Sequence, residues 1–440
     1  MAPTKLTKSA IGVWGFGVTG QAAVRFLLRQ NADVRLYNQT PVNQANVQVY
    51  APDQLDGFLK DCDLIIPSPG IDLHPYQAYK HKWLSEIDLF AQHWHKPVVA
   101  ITGTVGKTTV TTLLTNALKQ LGIQAKMAGN VGTSMLDMLE QQDQIDIAVV
   151  ELSSFQLEHA KHFAPDVAVI TTLLPNHLDR HITFEAYQSA KCNIFTHQKA
   201  NQKCLVPPKL LEATSASPAE TFCITPTTKV PNKNIPTYHF DQNQAVIFSN
   251  GSTHKLICSQ ELPTTTFAHN WLITCSVLDT LGYKIPDLTK LAGQTYSTLE
   301  HRLEFVTKIN GVKIYNDSKA TVPAATLAAL KQFVGQKVTL ILGGTSKGVK
   351  RAGMICKFAS KVESVVLFGS EREQLALWCQ QNNISYQTSA SLEHAVDLAL
   401  ASPNKSDILL FSPSGASFDL FTNYKERGKQ FKALIQAAQR

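Results

Sequence analysis

A glycine-containing loop at 103–109 is the strongest chemical signal in the sequence. It reads GTVGKTT, follows the apolar run PVVAIT and opens the helix-period stretch VTTLLTNALKQLG. In such a loop backbone N–H groups wrap phosphate oxygens, Lys107 neutralises β/γ-phosphate charge, and a hydroxyl of Thr108 or Thr109 can reach Mg²⁺. Ile101 stands where a standard Walker A motif has Gly, so this is a shorter variant. The predicted phosphate contacts here, which the resemblance described below assigns to ATP, are Gly103, Thr104, Gly106, Lys107, Thr108 and Thr109.

Polar residues follow the next two apolar runs. Glu151 ends IDIAVVE, His177 and Asp179 lie in PNHLDRH after DVAVITTL, and Lys191 lies on the next predicted helix. Because the ends of parallel strands meet at one sheet edge, these residues are expected to converge there. Glu151 then occupies a position suited to a metal beside the phosphate loop.

A second glycine motif stands near the start of the chain, as Gly15, Gly17 and Gly20 of a GxGxxG between an apolar strand and a helix. Amides at such a helix start can receive a pyrophosphate. The second strand, DVRLYN, ends in Asn38 where a dinucleotide fold wants an acid for the ribose diol. This disfavours NAD and leaves two interpretations open: another diphosphate ligand, or tight packing of strand against helix.

Four further motifs stand at or just before strand ends in the last third of the chain. They are HRLE (301–304), NDSKAT (316–321), GGTSKG (343–348) and SPSGASFD (412–419). Lysine and hydroxyl side chains at such ends can hold carboxylates and phosphates. Capping and turn formation explain SPSG equally well but explain NDSKAT poorly.

Apolar runs alternate with helix-period stretches through much of the 440 residues, which predicts an α/β protein with parallel sheets covered by helices. One predicted helix spans 18–29 and another begins near Lys107. Strands are hard to place in the Pro/Thr-rich stretch 201–234. Three sheets and three domains fit the length, with expected boundaries of 1–93, 94–298 and 299–440.

Composition excludes several classes of protein. The net charge is +7 with 17% charged residues, and the basic residues are dispersed, so a small anionic ligand is favoured over nucleic acid. Eight cysteines without a CxxC pair predict free thiols in a reducing compartment and no zinc site. No run approaches the ~20 apolar residues of a membrane span, so a cytoplasmic protein without a membrane partner is expected.

In this order, GTxGKTT, ELSSFQLE, NHLDRH, Lys191, HRLE, NDSKAT, GGxxKG and SPxxASFD resemble the Mur ligase family of peptidoglycan synthesis over nearly the whole chain. The resemblance implies an ATP-dependent amide ligase with a Rossmann-like UDP-binding domain, a central P-loop ATPase-type domain and a C-terminal Rossmann-like domain. Within the family the motifs are most similar to the branch that adds D-glutamate to UDP-N-acetylmuramoyl-L-alanine. The implied cofactor is Mg²⁺ with ATP as co-substrate, and a monomer without nucleic-acid partners is expected.

The resemblance also assigns roles to residues of this chain. It implies that Lys107, His177 and Lys191 are catalytic, that Arg302 and Asp317 contact ATP, and that Lys191 is carried as a carbamate. The implied metal ligands are Thr108, Glu151, His177 and Lys191. The implied contacts of the UDP substrate are Gly15, Gly17, Val18, Thr19, Ser68, Gly70 and Asn130. The implied D-glutamate contacts are Lys319, Thr321, Lys347, Ser417 and Tyr424.

The sequence departs from the family pattern at five positions, occupied here by Asn38, Val105, Ile273, Val322 and Ser346. Ser346 replaces an acid beside Lys347, so weaker binding of the amino acid is expected. The alternatives are another Mur-type or folylpolyglutamate-type ligase, an NAD-dependent oxidoreductase or a catalytically inactive paralogue. A folylpolyglutamate synthase carries its phosphate loop near the amino terminus, which disfavours that alternative. Asn38 opposes the oxidoreductase, while Val105 and Ser346 are the hints of inactivity.

Overall fold

The structure is a computed structural model that describes residues 6–228, 230–241, 244–256, 262, 268–296, 300–401 and 406–439. Within these residues the strands form three sheets, each covered by helices. The α/β class predicted from the sequence is therefore confirmed. None of the described helices is both long and apolar enough to span a bilayer.

Chain contacts divide the molecule into two compact units. Unit 1 comprises residues 1–173 and 185–295, and unit 2 comprises residues 174–184 and 296–440. The first two sheets lie in unit 1 and the third lies in unit 2. The predicted three-domain boundaries stay a prediction, and the boundary between 298 and 299 lies outside the described residues.

The first sheet is parallel and has the order β3-β2-β1-β4. Its core packs Trp14 of the first strand against the rings of Tyr37, Phe58 and Trp83. The elements are β1 (Ala10–Trp14), α1 (Val18–Arg29), β2 (Asp33–Tyr37), β3 (Gln48–Tyr50), α2 (Leu55–Asp61), β4 (Leu64–Pro67) and α3 (Glu86–His93). The predicted helix 18–29 is confirmed.

The second sheet has the order β13-β12-β11-β10-β9-β8-β5-β7-β6. Strands β5, β7 and β8 are buried along their whole length, which explains their continuous apolar runs. The strands are β5 (Val98–Thr102), β6 (Ala125–Gly129), β7 (Ile147–Glu151), β8 (Val167–Ile170), β9 (Lys203–Val206), β10 (Glu220–Ile224), β11 (Thr237–Asp241), β12 (Gln244–Ser249) and β13 (Ser252–Lys255). The helices are α4 (Lys107–Gln120), α5 (Met135–Met138), α6 (Ser154–Leu157), α7 (Leu178–His181, in unit 2), α8 (Phe184–Thr196), α9 (Ala268–Thr280) and α10 (Leu288–Tyr296).

The third sheet has the order β14-β15-β19-β16-β17-β18. Its strands are β14 (Glu304–Ile309), β15 (Val312–Asn316), β16 (Val338–Gly343), β17 (Ser364–Phe368), β18 (Tyr386–Ser389) and β19 (Ile408–Phe411). Its helices are α11 (Pro323–Leu330), α12 (Ala352–Phe358), α13 (Arg372–Gln381), α14 (Leu392–Leu400) and α15 (Tyr424–Ala437). Two apolar clusters, one on each face, form its core.

The sheets differ from the sequence expectation in two respects. Strands β9 and β10 lie in the stretch 201–234, where short segments between Pro and Thr residues gave no clear apolar run. Antiparallel pairs β12–β13 and β14–β15 interrupt the parallel pattern. Both pairs turn at an Asn-Gly dipeptide with positive φ, Asn250-Gly251 and Asn310-Gly311. Such turns favour two-residue hairpins, so the signal was present in the sequence.

Candidate functional site

The glycines of the phosphate loop are required by its shape. Gly103 has φ +142° and Gly106 has φ +95°, a region that other residues rarely adopt. A Cβ at Gly103 would overlap Oγ1 of Thr171, and one at Gly106 would lie 2.7 Å from Oδ1 of Asn270. The loop is therefore closely packed on the end of β8 and the start of α9.

Two threonines after β8 hold the phosphate loop in place. The N–H of Thr104 donates to the carbonyl of Thr172 over 2.9 Å, and the N–H of Val105 donates to Oγ1 of Thr172 over 2.9 Å. Oγ1 of Thr171 in turn donates to the carbonyl of Val105 over 2.7 Å. The bonds to Val105 use its backbone, which a change of side chain at this position preserves. Sequence reasoning missed Thr171 and Thr172, whose only signal is their position at a buried strand end.

Lys107 begins α4 and folds back over the loop. Its ammonium donates to the carbonyls of Gly103, over 2.8 Å, and Thr104, over 3.4 Å. Thr108 is partly exposed, whereas Thr109 is fully buried and its Oγ1 has no hydrogen-bond partner. The loop thus gathers one cation and two hydroxyls at a helix N-terminus, where phosphate binds readily.

Glu151 lies beside this loop because β7 pairs with β5 in a register that puts it opposite Ile101. Its side chain is 1% exposed. Oε1 accepts a hydrogen bond from the side-chain amide of Asn130 over 2.7 Å, while Oε2 is buried without a partner among the described residues. A buried carboxylate oxygen without a donor suits a hard cation such as Mg²⁺.

Lys191 is buried on α8 against the end of β5. Its ammonium lies 3.2 Å from Oγ1 of Thr102 and 4.8 Å from the ring centre of Tyr187. Burial, followed by repulsion from Lys107, holds the pKa of Lys191 well below its usual range, and attraction from Glu151 opposes this only in part. A neutral amine is the form that can add CO₂ to become a carbamate.

His177 precedes α7 with φ 55°, and its N–H donates to Oδ1 of Asn176 over 3.0 Å. Residues 174–184, which carry His177 and Asp179, belong to unit 2. The role of His177 as a metal ligand beside Glu151 stays a prediction. Within the described residues no three His, Cys, Asp or Glu side chains cluster as a metal site. Magnesium does not require such a cluster, because it keeps several waters and takes oxygens from substrate phosphates.

The first glycine motif combines packing with an open surface. Gly15 has φ +93°, and a Cβ there would lie 2.6 Å from Oγ of Ser68. A Cβ at Gly20 would overlap the carbonyl of Gly15. Around Gly17 and Gly70, in contrast, a Cβ would meet nothing within 4 Å. Both interpretations of the motif therefore have support: Gly15 and Gly20 serve packing, and Gly17 leaves space for a ligand.

The start of α1 faces solvent at the motif's second and third variable positions. Val18 is 75% exposed and Thr19 is partly exposed. Asn38, in the position of the missing acid, accepts a hydrogen bond from the N–H of Phe16 over 3.0 Å. Its amide donates to Thr40. Asn38 thus stabilises the conformation of the glycine loop through a hydrogen bond to its backbone, a role that the sequence did not reveal.

In unit 2 the HRLE and NDSKAT motifs meet at Asp317. This carboxylate accepts hydrogen bonds from Oγ of Ser412, over 2.8 Å, and from the N–H of Leu303, over 3.2 Å. Burial raises its pKa to about 7, although these bonds and the charge of Arg302 act in the opposite direction. Asp317 and Arg302, both predicted to contact ATP, therefore lie within electrostatic reach of each other.

The predicted amino-acid contacts come together in part. The ammonium of Lys319 donates to the hydroxyl of Tyr424 over 3.0 Å, and Oγ of Ser318 donates to the carbonyl of Tyr424 over 2.8 Å. Thr321 lies two residues beyond Lys319, just before α11. These two hydrogen bonds hold Tyr424, the first residue of α15, against the NDSKAT loop.

Lys347 and Ser417 lie on two loops that are joined through their backbones. Thr345 and Ala416 form an antiparallel bridge with N–H to carbonyl distances of 2.9 and 2.8 Å. Lys347 has φ 51°, and Ser417 is 2% exposed. The bridge places Ala416, which precedes Ser417, against Thr345, which lies two residues before Lys347.

Arg427 of α15 was not anticipated from the sequence. It is fully buried and donates to the carbonyls of Ser318, over 2.7 Å, and Gly415, over 3.1 Å. Burial lowers its pKa to about 9. An arginine inside a helix gives no sequence signal for this role, which depends on two distant loops meeting.

Comparisons with known proteins agree with this geometry. The model of the Mur ligase middle domain matches residues 101–278, and that of the Mur ligase glutamate ligase domain matches residues 301–415. A UDP-N-acetylmuramoylalanine–D-glutamate ligase of Acetivibrio thermocellus is 31% identical, covering 98% of this chain and 97% of its own length. The ligase of the same name from Clostridium kluyveri is 33% identical, covering 97% and 96%.

Solved structures show the same fold. The MurF ligase of Thermotoga maritima in complex with ADP superposes with a TM-score of 0.59 at 18% identity, covering 99% of this chain and 96% of its own. The UDP-N-acetylmuramate–alanine ligase MurC of Thermotoga maritima gives 0.59 at 16% identity, covering 98% and 100%. The folylpolyglutamate synthase of Mycobacterium tuberculosis gives 0.57 at 17% identity, covering 79% and 94%.

Proposed function

The chain belongs to the Mur ligase family, and from this premise we propose that it joins D-glutamate to UDP-N-acetylmuramoyl-L-alanine with consumption of ATP. The choice of D-glutamate as the acceptor rests on the similarity, over nearly the full length and at 31–33% identity, to relatives that bear the name of this ligase. The reaction belongs to peptidoglycan precursor synthesis and is proposed to take place in the cytoplasm. The expected domains are 1–93 for the UDP substrate, 94–298 for ATP and 299–440 for the amino acid.

An amide cannot form directly from a carboxylate, because the carboxylate is a poor electrophile. ATP is proposed to transfer its γ-phosphoryl group to the L-alanyl carboxylate, giving an acyl phosphate and ADP. The amine of D-glutamate then attacks the acyl carbon, and phosphate leaves from the tetrahedral intermediate. Charge accumulates on the phosphoryl oxygens, so cations positioned there contribute most to the rate.

Residues of this chain supply that environment. Lys107, at the N-terminus of α4, is proposed to offset the β/γ charge, which its contact with the phosphate-loop carbonyl of Gly103 supports. Mg²⁺, when bound, would offset further charge, and the buried Oε2 of Glu151 fits it. Thr108, His177 and a carbamate on Lys191 are the further proposed ligands. The lowered pKa of the buried Lys191 supports the carbamate, because a lower pKa favours the unprotonated amine to which CO₂ adds, and the product is an oxygen ligand.

D-Glutamate has two carboxylates, so its site needs cations and hydroxyls that bind them. The amine must stay unprotonated, because it is the nucleophile. Lys319 and Tyr424, which are hydrogen-bonded to each other, with Thr321, Lys347 and Ser417, are proposed as this set. L-Alanine has no side-chain carboxylate, so it would lack the second carboxylate that this set of cations and hydroxyls is proposed to bind. Rejection of such an analogue by about 10⁴-fold is typical of sites built this way.

The proposal is tested by incubating the protein with UDP-N-acetylmuramoyl-L-alanine, ATP, Mg²⁺ and one amino acid at a time. Release of ADP and the product mass are measured. D-Glutamate is expected to give product, whereas L-alanine, L-lysine and diaminopimelate are not. Product with one of these three and none with D-glutamate would assign the chain to another step. Absence of ATP turnover with every acceptor would identify an inactive paralogue.

A further inference from the structure

A buried arginine stands at the end of the GGTSKG loop. Arg351 is 0% exposed, and its two terminal nitrogens donate to the carbonyls of Gly343, over 2.8 Å, and Gly344, over 2.9 Å. The second nitrogen also lies 2.6 Å from Oε2 of Glu371. The Arg351 side chain thus fixes the end of β16, where this strand of the third sheet passes into the 343–348 loop.

Glu371 connects the same loop to the next strand end. It follows β17 and precedes α13, and its Oε1 accepts a hydrogen bond from the N–H of Ser346 over 2.8 Å. The Glu371 carboxylate therefore binds Ser346 through one oxygen and Arg351 through the other. Ser346 directly precedes Lys347, so the carboxylate fixes the backbone that carries this lysine.

The 343–348 loop has little freedom to move independently of the loop that carries Ser417. The antiparallel bridge between Thr345 and Ala416 ties it to the loop of Ser417. A Cβ at Gly344 would overlap the carbonyl of Ala416, so the two backbones touch. A shift at Ser346 would therefore displace both Lys347 and the opposite loop.

The energetics of this ion pair favour a role in positioning. Burial lowers the pKa of Arg351, and Glu371 opposes this. Burial also acts to raise the pKa of Glu371, but the Ser346 N–H and Arg351 outweigh it and the pKa is lowered. Buried ion pairs typically add little stability over apolar side chains of similar volume, whereas loss of one partner leaves a costly isolated charge. Stability alone therefore does not account for the arrangement.

We propose that the Arg351–Glu371 pair positions the 343–348 loop, and with it Lys347 and Ser417, for the carboxylates of the acceptor amino acid. This inference rests on the proposed function in taking the acceptor to be D-glutamate. Arg351 and Glu371 are positioning residues, since they act through the loop backbone and not through contact with the reacting atoms. Disruption of the pair should weaken binding of the acceptor selectively.

The test compares Glu371→Gln, Arg351→Met and Arg351→Lys with the unmodified protein. Glutamine keeps an acceptor for the N–H of Ser346 but removes the charge, and lysine keeps a cation. The KM for D-glutamate is expected to rise about tenfold in Glu371→Gln and Arg351→Met, the loss of about one charged hydrogen bond, and less in Arg351→Lys. The KM values for ATP and the UDP substrate should stay within about twofold.

Glu373→Gln is the matched control, because Glu373 lies two residues after Glu371, in the first turn of α13, with a side chain 77% exposed. It should leave all three KM values unchanged. An unchanged KM for D-glutamate in folded Glu371→Gln protein would overturn the inference, as would an equal rise in all three KM values or a lower melting temperature alone. If the unmodified protein uses another amino acid, the proposed function fails, and the same variants measured with that acceptor still decide the inference.

Discussion

The side-chain amide of Asn130 donates to Oε1 of Glu151 over 2.7 Å, whereas Oε2, the other oxygen of this buried carboxylate, has no partner in the part of the chain that the structure describes. The Asn130 amide thus orients the Glu151 carboxylate by bonding Oε1, and the proposed metal would bind Oε2. Asn130, predicted to contact the UDP substrate, therefore also has a part in the proposed metal site.

The pair leads to a prediction about magnesium. Glu151→Gln should lower kcat by about 100-fold, because an amide is a far weaker ligand for Mg²⁺ than a carboxylate. Asn130→Ala should raise the Mg²⁺ concentration needed for half-maximal activity several-fold, since second-layer hydrogen bonds typically change metal affinity by about 10–100-fold. The exposed Asp143, changed to Asn, is the control. An unaltered Mg²⁺ dependence in Glu151→Gln would remove Glu151 from the metal site.

Lys107 provides the second prediction. Lys107→Ala should reduce ligation by about 10³-fold, because its cation offsets charge that develops as the phosphoryl group moves. The melting temperature should change little, since the side chain is only partly buried. Lys119→Ala, at the exposed end of the same helix, should have neither effect. Turnover within about tenfold of the unmodified protein would contradict the assignment of the loop.

Lys191 provides the third prediction. Its lowered pKa favours the unprotonated amine that adds CO₂, so ¹³C-bicarbonate should give a carbamate signal in the NMR spectrum that Lys191→Ala lacks. That variant should lose most activity, and acetate should restore a part by filling the carbamate position. Lys199→Ala, at an exposed lysine, should behave as the unmodified protein does. Full activity in Lys191→Ala would show that the family's role for this lysine does not apply here.

The first glycine motif allows packing and binding to be separated. Gly20→Ala should destabilise the protein by about 1–3 kcal/mol, because its Cβ would overlap the carbonyl of Gly15. Gly17→Ala meets no atom within 4 Å and has negative φ, so the fold should be retained. Its KM for the UDP substrate should nevertheless rise, because the methyl group enters the space proposed for the diphosphate. Equal KM values in Gly17→Ala and the unmodified protein would leave only the packing role.

Glu86 gives a prediction for pH. It is buried, and Oγ of Ser134 donates to its Oε1 over 3.1 Å. Burial raises its pKa from 4.5 to about 7, so the folded chain holds this proton more tightly than the unfolded chain. The free energy of unfolding should therefore fall between about pH 4.5 and pH 7, by up to about 3 kcal/mol from this group.

Glu86→Gln should abolish that contribution, because the amide stays neutral. Chemical unfolding at pH 5 should differ little between the two proteins, whereas at pH 8 the variant should be the more stable. Asp317, whose pKa is raised in the same direction, remains in both proteins and cancels in the comparison. Glu212→Gln, at an exposed site, controls for the loss of one charge. Equal pH dependence in Glu86→Gln and the unmodified protein would show that this carboxyl is not the titrating group.

The amino-acid sequence by itself determined the α/β class, the helix 18–29, the phosphate loop, the strand-end position of Glu151 and the helix-start position of Lys107. These depend on local pattern: buried parallel strands need continuous apolar runs, and a loop wrapping phosphate needs glycine where φ is positive. The Asn-Gly hairpins at 250–251 and 310–311 were equally local but went unrecognised among the parallel strands.

Only the tertiary structure decided which distant groups meet. Thr171 and Thr172 hold the phosphate loop from 66 and 67 residues away, and Arg427 reaches Ser318 across 109 residues. Such contacts leave no periodicity in the sequence. The low pKa of Lys191 likewise arises from burial against β5, which no spacing of residues discloses. Side-chain chemistry can be read along the chain, but the electrostatic environment of a group depends on what folding packs around it.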